Sequence, residues 1–97
     1  MNLEYLSNFI VLVDFMNFTK AAEYLHIAQS TLSKQISALE SSFETTLLIR
    51  TNRHIEVTAA GKYLYETGKL LLTQVQDIKR RMRSLEDLAV GAISISS

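Results

Sequence analysis

Apolar positions in the first half of the chain recur at helical spacing. Leu3, Leu6, Phe9, Ile10 and Val13 fall on one face of a helix from about Leu3 to Phe15, and Glu4 in its first turn suits the positive end of the helix dipole. Asn17 is suited to cap a second, short helix, because its side-chain oxygen can accept from an orphan backbone N–H. Phe18, Ala21, Ala22 and Leu25 share one face of that helix, and the two alanines let another helix approach closely. After a break at His26-Ile27-Ala28 a third helix opens at Gln29. Its stripe of Leu32, Ile36, Leu39 and Phe43 is expected to be core.

The pattern then changes. Leu47, Leu48 and Ile49 run into Arg50, and Ile55 and Val57 alternate with Glu56 across the polar turn Thr51-Asn52-Arg53-His54. This predicts two short strands joined by a turn. Thr58 is placed to cap a long fourth helix, from about Ala59 to about Ala89, with Gly91 breaking it. Ile93 and Ile95 alternate with serines as the start of a strand would.

Within the fourth helix Leu64, Leu71, Ile78 and Leu85 recur every seven residues, and Val75, Met82 and Ala89 fill the alternate seam. That is the repeat of a coiled coil. A helix of about thirty residues, roughly 45 Å long, outruns what a small domain can cover. Leu64, Leu71, Val75, Ile78, Met82 and Leu85 are therefore expected to bury against a second copy. Gly68 in this helix marks either a close helix approach or an accident of the surface. The Lys79-Arg80-Arg81-Met82-Arg83 cluster reads as a solvated face.

Composition narrows the class. Ninety-seven residues, 47% of them hydrophobic, make one small folded domain with an appendage. There is no cysteine, hence neither a disulfide framework nor a thiolate metal site. The start lacks the basic and apolar regions of a signal peptide, and no stretch has the length of a membrane span. A soluble, cytoplasmic protein without membrane partners is expected. Charge gives no support to nucleic-acid binding: ten Lys and Arg balance ten Asp and Glu. Up to Thr58 only Lys20, Lys34, Arg50 and Arg53 face six carboxylates. Placement of the cations must then matter more than their number.

Helix, turn, helix and hairpin together describe a mostly α winged helix-turn-helix. The major groove of B-DNA admits one helix, and short polar side chains near its start reach base edges. Gln29 can pair with adenine, Lys34 can reach a guanine edge or a phosphate, and Ser30, Ser33 and Ser37 can donate to phosphates. Arg53 at the hairpin tip is placed for the minor groove, where narrow A·T-rich DNA attracts arginine. Arg50 suits a structural ion pair with a carboxylate at least as well as a DNA contact. His26 and His54 are too isolated for metal ligation. No paired carboxylates, Ser/His/Asp set or glycine-rich phosphate loop stands out, so neither an enzyme nor a cofactor is expected.

At these residues the sequence resembles the LysR-type transcriptional regulators. The resemblance rests on Phe9 and Val13, Phe18-Thr19-Lys20-Ala21-Ala22, Leu25, and Ala28-Gln29-Ser30-Thr31-Leu32-Ser33-Lys34-Gln35-Ile36. It continues through Leu39-Glu40, Leu47, Arg50-Thr51 and Val57-Thr58-Ala59-Ala60-Gly61. It implies that Gln29, Ser30, Ser33 and Lys34 contact DNA with Arg53 from the wing, that Thr31 lies nearby, and that Thr19 meets phosphate. Met16-Asn17 stands where the family usually has glycine and serine, Ser30 where proline is frequent, Glu44 where glycine is usual and Leu48 where phenylalanine is. Gly91 to Ile95 is similar to the family's entry into an effector-binding domain.

The expected organisation is a DNA-binding domain over 1–58, a linker helix over 59–89, and over 90–97 the start of an effector-binding domain otherwise missing. The expected activity is sequence-specific binding of double-stranded DNA by a homodimer. A higher oligomer stays open for a full-length protein, and a small-molecule effector would act only through the missing domain. The alternative is a helical protein-interaction module that dimerises through residues 64–89 without touching DNA.

Overall fold

The computed structural model describes residues 1–52 and 54–96, with side-chain surroundings given as far as Leu88. Three helices, α1 (Leu3–Phe15), α2 (Phe18–Leu25) and α3 (Gln29–Phe43), precede a hairpin of β1 (Leu48–Arg50) and β2 (Ile55–Val57), and α4 (Ala59–Ser96) follows. The strands pair antiparallel, with Leu48 opposite Val57 and Arg50 opposite Ile55.

Local chemistry accounts for the boundaries. Asn2 caps α1 by accepting from the Glu4 and Tyr5 amides at 2.8 and 3.2 Å, and Asn17 caps α2 by accepting from Lys20 N at 2.9 Å. Helices α1 to α3 each end on a residue in the left-handed region, namely Met16, His26 and Glu44, with φ of 52°, 58° and 52°. Behind two of these the chain closes as a Schellman turn, Ile27 N donating to Ala22 O at 3.0 Å and Thr45 N to Glu40 O at 3.1 Å. Glycine is the residue that takes this conformation without penalty, and none of the three ends has one.

The core gathers Phe9 and Leu12 of α1, Ala21 and Ala22 of α2, Leu32, Ile36 and Leu39 of α3, and Leu47, Leu48 and Ile55 of the hairpin. Phe43 departs from its expected burial and is 42% exposed. Its spacing continues the stripe, but it sits in the last turn of α3, beside a shallow apolar cleft with Leu47, Ala60, Tyr63 and Leu64. Among the described residues a polar pair enters the core region: Asn8 Nδ2 donates to Gln35 Oε1 at 2.6 Å, joining α1 to α3.

The start of α4 is bound to the hairpin. Thr58 Oγ1 accepts from Gly61 N at 3.0 Å, as a cap should, and donates to Thr46 O at 2.7 Å. A Cβ on Gly61 would stand 2.3 Å from the Leu47 carbonyl oxygen, so only glycine lets the helix come this close. Gly68 is buried against α1, where a Cβ would lie 2.8 Å from Leu6 Cδ1. It marks a close helix approach. Leu64, expected in the dimer seam, is partly buried against the domain's own core.

Helix α4 does not stop near Ala89. It runs through Gly91 to Ser96, and the strand expected at Ile93 and Ile95 does not form. A glycine inside a helix costs only about 1 kcal/mol relative to alanine. A strand needs a neighbour for its backbone groups, whereas a helix bonds its own; no strand lies alongside among the described residues. No helix among the described residues is long and apolar enough to cross a membrane.

Candidate nucleic-acid interface

Helix α3 begins without a side-chain cap, its Ncap being Ala28, so its first amides take no intramolecular side-chain partner there. Gln29, Ser30, Thr31 and Lys34 are exposed in its opening turns, and Ser33 is half-buried among them. Ser30, Ser33, Lys34 and Ser37 share one face at helical spacing, with Thr31 next to Lys34 around the helix. The buried stripe of Leu32, Ile36 and Leu39 holds the opposite side on the core.

Two of the sequence-predicted residues touch directly. Gln29 Nε2 donates to the hydroxyl of Thr19 at 2.9 Å, linking the opening turns of α3 and α2. Gln29 and Thr19 then line an open cleft with Asn17, Arg50, Thr51 and His54, so α2, α3 and the hairpin face a common space. Thr51 shapes the hairpin end: its amide donates to His54 O at 2.9 Å, its hydroxyl does the same at 2.9 Å, and His54 N donates back to that hydroxyl at 3.2 Å. Arg53, expected in the minor groove, lies outside the described residues. Lys34 makes no ion pair among the described residues.

Arg50 corrects an expectation. It meets no carboxylate among the described residues; its Nη2 donates to Ser33 Oγ at 2.8 Å, and its guanidinium carbon stands 4.2 Å from the centre of the Phe18 ring. One carboxylate of the head is engaged elsewhere. Glu40 Oε2 accepts from the Leu47 and Leu48 amides at 2.8 and 3.3 Å, tying the hairpin to α3. Sequence reading gave Glu40 no role. A carboxylate seven residues before an apolar run carries no local signal, because only the turn at Glu44 brings it back onto those amides.

The family model described as "Bacterial regulatory helix-turn-helix protein, lysR family" matches residues 3–62. The chain is 40% identical over 95 residues to the nitrogen assimilation regulatory protein nac of Klebsiella aerogenes, covering 98% of this chain and 31% of that protein. It is 45% identical over 85 residues to the HTH-type transcriptional regulator CatR of Pseudomonas putida, covering 88% of this chain and 29% of that one. The chain thus spans about a third of the length of these relatives. Among solved structures it superposes on the CbnR DNA-binding domain, crystallised with DNA, with a TM-score of 0.84 at 33% identity, over 87% of this chain and 97% of that one. The BenM DNA-binding domain in a catB site 1 DNA complex gives a TM-score of 0.83 at 35% identity, over 88% and 96% of the two chains. With a matching fold, a matching family model and relatives of this identity, the chain belongs to the LysR family of bacterial regulatory helix-turn-helix proteins.

Proposed function

We propose that this chain binds duplex DNA sequence-specifically as the reading head of a transcription regulator. The observation that carries the proposal is the convergence of α2, the uncapped start of α3 and the hairpin on one polar face. Helix α3 enters the major groove; Gln29, Ser33 and Lys34 meet base edges or phosphates, with Ser30 and Thr31 beside them. Thr19 contacts phosphate, and Arg53 reaches the adjacent minor groove. The two relatives crystallised with DNA support this reading.

The working unit is a homodimer. Ile78, Met82 and Leu85 are 60%, 62% and 56% exposed in the single chain, on a helix that extends beyond its own domain. A second copy would cover them, continuing the seam through Leu71 and Val75, with Leu64 at its inner end. Residues 1–58 form the reading head and α4, from Ala59, the linker helix; a small-molecule effector would act only through a further domain.

Fluorescence anisotropy with a dyad-symmetric duplex and a scrambled one, at several salt concentrations, tests the proposal. Few charges line the reading face, so preference for the dyad should persist as salt rises, while non-specific binding falls away. Equal affinity for both duplexes at every salt would refute specific reading.

A further inference from the structure

Arg50 joins three elements. Its guanidinium lies over Phe18 at the start of α2, donates to Ser33 on α3, and belongs to β1 of the hairpin. The contact with the Phe18 ring holds the guanidinium beside Ser33.

The direction of that hydrogen bond is determined. A serine hydroxyl has one proton and two lone pairs, and a guanidinium can only donate. Ser33 Oγ must therefore accept, and its proton cannot point toward Arg50. The usual alternative in a helix is the carbonyl four residues earlier. Thr73 takes that outlet, donating to Lys69 O at 2.9 Å, whereas Ser33 makes no such bond among the described residues. Among the described residues the proton of Ser33 has no acceptor, which leaves it available to a partner outside the chain.

We infer that Arg50 is a positioning residue for DNA reading, occupying one lone pair of the Ser33 hydroxyl and turning its proton toward an acceptor on the duplex, either a purine N7 or a phosphate oxygen. The inference rests on the proposed function. Accepting a charge-assisted bond polarises the hydroxyl and strengthens its own donation. The nearby cation also disfavours the amino donors of cytosine and adenine, so Ser33 selects against them.

The test uses the whole chain and a duplex selected by it from random sequences. Each purine in turn is replaced by its 7-deaza analogue, which lacks the N7 acceptor, and in a second series each phosphate by a methylphosphonate. Among the positions that cost wild type affinity in the two series, one in each half-site should belong to Ser33 and cost about fivefold to tenfold. Ser33→Ala should abolish the sensitivity at that position. The series in which it occurs separates base from phosphate. Arg50→Met should reduce the same sensitivity to about twofold or less, because nothing then orients or polarises the hydroxyl. Arg50→Lys, which still donates and cannot accept, should keep it even where overall affinity falls. If Arg50→Met does not fold, Arg50→Lys decides. Undiminished sensitivity in a folded Arg50→Met, its loss in a folded Arg50→Lys, or no position whose sensitivity Ser33→Ala removes would overturn the inference alone. A wild-type chain that cannot distinguish the selected duplex from a scrambled one overturns the proposed function and this inference together.

Discussion

Along α4, Gly61 and Gly68 are buried against the head and Leu64, Leu71 and Val75 are partly covered, whereas Ile78, Met82 and Leu85 lie open. One seven-residue repeat runs through both stretches. Its inner part serves the domain's own core, with glycine at the points of closest approach to α1 and the hairpin. Its outer part keeps large apolar side chains that the head cannot reach. The difference teaches that a periodic apolar stripe specifies which side of a helix will be buried. Residue size along the stripe indicates how near the covering surface comes.

The largest expected effect belongs to the outer part. Ile78→Asp places a carboxylate in the proposed seam and should weaken self-association by about 3–5 kcal/mol, leaving the head's melting behaviour nearly unchanged. Sedimentation of wild type as a monomer at tens of micromolar would remove the basis of the contrast. Next comes Gly61→Ala, which drives a methyl group into a backbone carbonyl that cannot move aside. Unfolding by urea should register a loss of about 3 kcal/mol, and a loss indistinguishable from zero would contradict the tight junction between α4 and β1.

Glu44→Gly relieves a left-handed residue that has a side chain and should raise stability by about 0.5–1 kcal/mol in the same assay. A destabilised variant would mean that Glu44 contributes something its backbone conformation does not reveal. The smallest effect is expected at Gly68→Ala. There the new methyl meets the end of the flexible Leu6 side chain, and the gain in helix propensity of about 1 kcal/mol offsets the displacement. A change within about 0.5 kcal/mol of wild type, set beside the loss at Gly61, would show that the two glycines answer to different neighbours.

Much of the head was legible because its determinants are local. The apolar spacing marked α1 to α3, Asn17 announced the start of α2, and Thr58 announced α4. Exposed polar residues at the start of α3 followed from the same periodicity. What escaped were arrangements made by chain reversal. The Gln29–Thr19 and Arg50–Ser33 bonds join residues ten and seventeen positions apart, and nothing in either segment alone predicts the other's reach. Phe43 misled for a related reason: spacing assigns a face, but the size of the surrounding domain decides whether that face is covered at its end.

The amide pair between Asn8 and Gln35 has a consequence for anyone exchanging recognition helices among such proteins. Gln35 lies on α3 but its partner lies on α1, nearly shielded from solvent. A transplanted α3 with an apolar residue at position 35 would strand the Asn8 amide, a defect worth about 1–3 kcal/mol. A graft that also lacked a carboxylate at position 40 would leave the Leu47 and Leu48 amides without their acceptor. On the proposed function, changing what this head reads therefore means carrying position 8 along with the helix and retaining Glu40. The transferable unit is the helix together with the supports behind it.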